Sequence, residues 1–300
     1  MNRILLITLL LAVGVVVFSL AAGEWLTRPA RAVLGAPPPG LPGEAVRIPY
    51  GDGQQVSGWF LPGRTGEGAV LLLHGVRGSR LQMLDRARWL QREGIGCLLI
   101  DLPSHGESSG DRISFGRREA LGVDAALGWL RHKLPNEKLG AIGISLGGAS
   151  LLFAHRDPEL DALVLESVYP TITDAVQDRL VNRLGAAGRW AAPLLLLQIP
   201  LRLNLGVHEL RPIEAIRSVR APVLVASGTE DKSTRWAETE ALFAAAPEPK
   251  QLFPVPGCGH DDLRDFERPA YEARILPWLQ SHLRKAPVAW GQTDLGKMAA

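Results

Sequence analysis

The sequence predicts an α/β protein: a mostly parallel sheet of about eight strands with helices on both faces. Three observations carry that expectation. From residue 69 onward, short apolar runs alternate with amphipathic segments of helical period. The runs AVLLLHG, GCLLIDLP, LGAIGIS, LDALVLES and PVLVASG are apolar throughout rather than alternating, as strands buried on both faces require. Most of these runs end in Gly, Ser or Asp, the residues that turn a strand into a loop.

The chain begins differently. Residues 4–23, ILLITLLLAVGVVVFSLAAG, carry no charge. Twenty helical residues rise about 30 Å, the thickness of a bilayer's hydrocarbon core. An uncleaved membrane anchor is the expectation. The alternative is a secretory signal cut near Ser19-Leu20-Ala21, although a signal's apolar region runs only about 7–15 residues. The folded part would then lie outside the cytoplasm, anchored or released. The Pro- and Gly-rich stretch at 24–44 reads as a stiff linker.

The folded region is expected over residues 45–285. AVRIPY and QQVSGWFL flank Gly51-Asp52-Gly53, a hairpin signal. AVLLLHG is a buried strand, SRLQMLDRARWLQREG an amphipathic helix and GCLLIDLP the next strand. FGRREALGVDAALGWLRHKL is a long helix, LGAIGIS a strand, and SLGGASLLFAHR opens another helix. After LDALVLES the alternation stops. Residues 168–212 have helical character and no strand, so they read as a helical insertion. PVLVASGTED, a helix over 234–246, KQLFPVPGCGH and a last helix containing Trp278 and Leu283 complete the pattern. Residues 286–300 have no periodicity and read as a flexible tail.

Composition excludes several classes. Apolar residues make up 46% of the chain and charged residues 21%, enough for a core and unlike a disordered chain. Net charge is only +2 and no basic cluster is interleaved with aromatics, so nucleic acid is not an expected partner. The two cysteines, Cys97 and Cys258, form no CxxC, so neither a redox nor a zinc pair is suggested. Cys97 starts an expected strand and reads as a core residue, while Cys258 lies in a loop at the opposite end of the sheet, which argues against a disulfide. No cofactor or metal is implied.

Four strand ends carry chemistry-bearing residues, and reactive groups in parallel sheets gather at such ends. Gly143-Ile144-Ser145-Leu146-Gly147 is a G-x-S-x-G element between a strand and a helix. A turn that sharp exposes the serine hydroxyl at a helix N-terminus and tolerates no side chain two positions either side. The loop His74-Gly75-Val76-Arg77-Gly78 can supply one backbone N–H to an oxyanion, most directly Val76; Leu146, which follows the serine, supplies the other. His74 itself reads as a structural hydrogen-bonding residue. Asp231 ends the loop Gly228-Thr229-Glu230-Asp231 and can orient a histidine; Glu166, at an earlier strand end, is the fallback and Glu230 a solvated loop charge. His260, in Gly257-Cys258-Gly259-His260, is the one of seven histidines placed between the last strand and the last helix. The chain order is Ser145, Asp231, His260.

With these residues in that order, residues 45–285 resemble the α/β-hydrolase superfamily. Asp101-Leu102-Pro103-Ser104-His105-Gly106-Glu107-Ser108 is similar to its D-x-x-x-H-G-x-S turn, in which the histidine shapes a loop. Leu165-Glu166-Ser167, Tyr169-Pro170, Asp174 and Pro212-Ile213 resemble the serine aminopeptidase-like, lysophospholipase-like branch, which includes monoacylglycerol lipases and esterases. The resemblance implies a serine hydrolase in which Ser145, His260 and Asp231 form a triad and residues 168–212 form a cap. It implies a small-molecule ester substrate, and the apolar cap run Trp190 to Leu197 suits a lipid-derived one. A peptidase or amidase on the same scaffold, and a catalytically silent interaction protein, are the competing readings.

Overall fold

The computed structural model describes residues 3–155 and 160–285; the expected tail at 286–300 lies outside them. In chain order the main elements are α1 (Arg3–Thr27), β1 (Glu44–Pro49), β2 (Gln55–Leu61), β3 (Ala69–Leu73), α2 (Leu84–Arg92), β4 (Gly96–Ile100), α3 (Glu119–Lys133), β5 (Leu139–Ile144), α4 (Leu146–Phe153) and β6 (Ala162–Glu166). Then follow α5 (Ile172–Leu184), α6 (Gly188–Leu196), α7 (Gln198–Leu203), β7 (Val223–Gly228), α8 (Trp236–Ala245), β8 (Lys250–Val255), α9 (Leu263–Phe266) and α10 (Arg268–Leu283).

One eight-stranded sheet has the order β8-β7-β6-β5-β3-β4-β2-β1. The hairpin β1–β2 pairs antiparallel, and β2 joins β4 antiparallel; every other neighbouring pair is parallel. The α/β class and the doubled helical layers expected from the sequence are therefore what the chain forms. The reason is visible in β3 to β7, whose residues are all buried. A strand covered on both faces requires helices on both faces, and the core accordingly divides into two clusters, one on each side.

Register places the chemistry. Leu73 of β3 is level with Gly143 of β5, and Ile144 with Glu166 of β6. The loops after these strands therefore emerge together at one edge. There α5 and α6, the first two helices of the insertion, close over Ser145.

The stretch expected as a linker does not hang free. Helix α1 continues past Gly23 to Thr27, and the chain then runs along the loop after β4. Ala30 N–H donates to Ser104 O at 2.8 Å and Ala32 N–H to Gly106 O at 3.1 Å. Glu107 Oε1 accepts the N–H groups of Leu34 and Gly35, each at 2.9 Å, and Trp59 Nε1–H donates to Gly35 O at 3.0 Å. All but the Trp59 bond join residues more than seventy apart in sequence, so local composition could not reveal them. Before the Ser19 and Leu20 carbonyls, which accept from Gln198 and Arg202, α1 is bare: its most apolar 18-residue window has no buried residue.

Candidate active site

Ser145 stands between the last residue of β5 and the first of α4, with φ +48° and ψ −108°. For a residue with a Cβ this is a strained conformation, one that persists only when its surroundings enforce it. Here they do. Ser145 N–H is fixed to Glu166 O at 2.7 Å, and Ser145 O starts the helix by accepting Ala149 N–H at 3.0 Å. The flanking glycines permit the turn. A Cβ on Gly143 would lie 2.6 Å from Gly148 N, and one on Gly147 would lie 2.6 Å from Leu73 O. Both distances are shorter than any carbon can occupy beside backbone, so the motif's glycines are steric requirements.

As the first residue of α4, Leu146 has one of the N–H groups that a helix cannot satisfy internally. Neither this N–H nor that of Val76 meets an acceptor among the described residues. Both residues line the same cavity as the Ser145 hydroxyl, which itself has no hydrogen-bond partner there. The cavity measures about 130 Å³, and its wall is mostly apolar: Leu26 at the end of α1, Phe115, Ile172 and Val176 of α5, and Leu195 of α6.

At the next two strand ends the loops after β7 and β8 meet. Asp231 is buried, and its Oδ1 accepts the N–H groups of Ser233 at 2.7 Å and Thr234 at 2.9 Å. Its Oδ2 lies 2.6 Å from His260 Nδ1. A carboxylate accepts only, so Nδ1 carries the proton and Nε2 keeps its lone pair. Arg179 Nη2 approaches that Nε2 at 3.4 Å. Arg179 also lines the cavity holding Ser145, so its guanidinium joins the serine cavity to the histidine pair.

The other sequence-selected groups take different places. Glu166 lies in the ion pair Arg86 Nη2–Glu166 Oε2 at 2.6 Å and accepts from the Tyr271 hydroxyl, so it does not reach His260. Arg86 Nη1 also holds Asp262 Oδ2 at 2.5 Å, and Asp262 caps α9 directly after the His260 loop. Arg86 thus braces that loop from beneath, a role that no local motif marks. His74 Nδ1–H donates to Gly75 O at 2.7 Å while Nε2 accepts Leu102 N–H at 3.0 Å. Burial holds its pKa down to about 4, so it is neutral and ties the loop after β3 to the loop after β4. Cys97 and Cys258 are both buried and free.

Arg179 has no sequence signature: it is one of several charged residues on an amphipathic helix. Among the described residues it forms no ion pair, and its Nη1 donates to Ala175 O at 3.0 Å and Ser233 O at 3.3 Å. Also among the described residues, no group of three or more His, Cys, Asp or Glu side chains is clustered to hold a metal.

Comparison with known proteins agrees with this architecture. Residues 65–211 match the family described as serine aminopeptidase, S33. An uncharacterized protein of Mycobacterium tuberculosis strain H37Rv is 33% identical over 226 residues, covering 73% of each chain. The polyketide transferase GrgF of a Penicillium species is 32% identical over 289 residues, 81% of this chain and 98% of that one. Among solved structures, an esterase of Pyrococcus furiosus superposes with a TM-score of 0.68 at 19% identity, over 86% of this chain and 98% of its own. At that identity the superposition speaks for the fold, while the closer sequence relatives carry the kinship. The chain therefore belongs to the α/β-hydrolase superfamily, within the serine aminopeptidase S33 family.

Proposed function

We propose that the protein is a membrane-anchored serine hydrolase that cleaves carboxylic esters. The observation that carries this reading is the 2.6 Å bond from His260 Nδ1 to Asp231, linked through Arg179 to the cavity that holds the strained serine elbow. In the proposed step the Ser145 Oγ–H proton passes to His260 Nε2 as Oγ bonds to the ester carbonyl carbon. The carbonyl oxygen becomes an oxyanion, which accepts from Val76 N–H and Leu146 N–H. On collapse the C–O bond to the alcohol breaks, and His260 returns the proton to the departing oxygen. Water repeats the sequence on the acyl-serine, releasing the acid. Asp231 holds the imidazole tautomer throughout and stays ionised.

Three features favour esters of lipid origin over peptides. The cavity wall is mostly aliphatic and aromatic, and one of its residues, Leu26, belongs to the apolar N-terminal helix. The insertion carries outward-facing apolar side chains, Trp190 at 84% exposure, Leu197 at 66% and Leu201 at 84%. It is also fastened to α1 at a depth that fits a bilayer surface. Gln198 Nε2 donates to Ser19 O at 3.0 Å, five residues before Glu24, the first carboxylate of α1. Those five residues rise about 7.5 Å, so α7 stands within the depth at which interfacial helices lie.

The test is labelling with a fluorophosphonate probe, then an ester panel with acyl chains of two to sixteen carbons. Labelling of the wild type that is absent in Ser145→Ala, together with a preference for medium or long chains, supports the proposal. Equal labelling of both proteins removes the nucleophile. Hydrolysis of amides in preference to every ester moves the reading to an amidase.

A further inference from the structure

A guanidinium beside the catalytic base is an odd choice for an enzyme of neutral esters. Arg179 Nη2 lies 3.4 Å from His260 Nε2, the atom that has to accept the serine proton. An N–H aimed at that lone pair competes with Ser145 for it. A cation there also opposes the positive charge the imidazole gains in the transition state. No carboxylate is bonded to it, and the favourable charges of nearby Asp231 and Asp178 do not outweigh its burial: among the described residues Arg179 has only the carbonyl oxygens of Ala175 and Ser233 and the His260 ring as hydrogen-bond partners. Burial lowers its pKa, the cost that an unpaired guanidinium bears in a mostly apolar wall.

From this geometry we infer that the site takes esters whose alcohol portion carries an anion, a carboxylate or a phosphate, and that Arg179 receives it. The inference rests on the ester-hydrolase reading of the same site and names its substrate class. The position decides which half of the ester is charged. His260 Nε2 hands its proton to the departing oxygen, so the alcohol lies within hydrogen-bond reach of Nε2. A group within hydrogen-bond reach of the same nitrogen, as Arg179 is, meets atoms of the alcohol within a few bonds of that oxygen. The acyl chain then runs along Ile172, Val176 and Leu195. One turn further along α5, Arg183 lines the same cavity and is exposed, adding positive charge on the path inward. A bound anion draws the Arg179 fork into a paired, charge-assisted contact, frees the Nε2 lone pair for Ser145 and neutralises the opposing charge. Arg179 is a specificity residue in this account, acting on the substrate's charge and not on the bond that breaks.

The experiment uses the full chain in detergent and two matched substrate pairs. One pair is O-butyryl lactate and O-butyryl lactamide, equal in size and differing in charge. The other is monodecanoyl glycerol phosphate and monodecanoyl glycerol. The wild type is expected to favour the charged member of at least one pair by about 30-fold in kcat/KM, the ratio that a charge-assisted bond typically supplies. Preference within the lactate pair alone assigns a carboxylate, and within the glycerol pair alone a phosphorylated lipid. Arg179→Gln is expected to abolish the preference, by lowering kcat/KM on the charged member and raising it on the neutral one, from which the opposing cation is removed; Arg179→Lys is expected to keep part of the preference. Equal labelling of each variant and the wild type by a neutral fluorophosphonate shows that the site is intact. No charge preference in either pair, or an equal fall on charged and neutral members in Arg179→Gln, overturns the inference while ester hydrolysis stands. Failure of the wild type on all four substrates overturns the ester reading and this inference with it.

Discussion

The Arg86 guanidinium lies 2.6 Å from the Glu166 carboxylate, and both side chains are almost wholly buried. That pair commits Glu166 to Arg86 and leaves Asp231 as the acid bonded to His260. Burial pushes the Glu166 pKa up, with Arg86 the first influence to oppose it. Arg86 also secures Asp262 at the start of α9. Glu166 is a structural acid under the serine turn, and Asp231 is the one bonded to the histidine.

The two carboxylates should therefore fail differently. Asp231→Asn is expected to lower kcat by about 10³–10⁴-fold with the melting temperature nearly unchanged, because the imidazole loses the acceptor that sets its tautomer. Glu166→Gln leaves a buried cation with one carboxylate fewer and is expected to cost about 3 kcal/mol of stability. Turnover of the fraction that stays folded should fall far less than in Asp231→Asn. Paired kinetic and denaturation measurements check this, and a reversed pattern would exchange the two roles.

Gly147→Ala tests the serine turn itself. Its Cβ would meet Leu73 O at 2.6 Å, and that oxygen belongs to a central strand that cannot retreat. The expected outcome is a stability loss of about 2–4 kcal/mol and no probe labelling. A folded, fully labelled Gly147→Ala protein would contradict the described turn.

Acid should destabilise the protein in two windows. Burial holds His74 down to about 4, and burial together with neighbouring His74 holds His105 down to about 3. In the unfolded chain both take protons near 6.5, so the unfolded state binds more protons as pH falls from about 6.5 to 3, and stability drops across that range. Glu107 defines the second window. Burial acts to raise its pKa, but the Arg80 bond and the Gly35 and Leu34 N–H bonds outweigh it and bring the group down to about 2. Its contribution is present above 4.5 and is lost as pH falls towards 2. Urea midpoints measured from pH 7 to 3 should decline from about pH 6.5. Glu107→Gln should flatten the decline below 4.5 and loosen the segment around Leu34 and Gly35, readable by amide exchange.

Replacing Trp190, Leu197 and Leu201 together with serine is expected to weaken the contact of the insertion with lipid vesicles. Hydrolysis of a dispersed long-chain ester should fall about tenfold or more, while a soluble short-chain ester should change less than twofold. Equal effects on both substrates would assign these side chains to packing.

Much of this protein could be read from order and composition. Continuous apolar strands alternating with amphipathic helices led to the parallel sheet, since a strand with no polar face must be covered twice. The G-x-S-x-G element led to the turn, since only glycine fits against Leu73 O and the start of α4. The bare apolar stretch led to α1, since length and hydropathy are local quantities. What tertiary structure decided is everything that depends on which distant groups meet. Glu166 ends a strand and Asp231 follows one, so the sequence ranks them without fixing either; the place of Arg86, on a helix eighty residues before Glu166, and the bond from His260 to Asp231 separate them. The stretch after α1 reads as a linker until Glu107 is found beneath Leu34 and Gly35. Arg179 is an ordinary surface arginine by its neighbours in the chain. It becomes the charge facing His260 because α5 folds back over the sheet edge, and no period or motif in the sequence records that crossing.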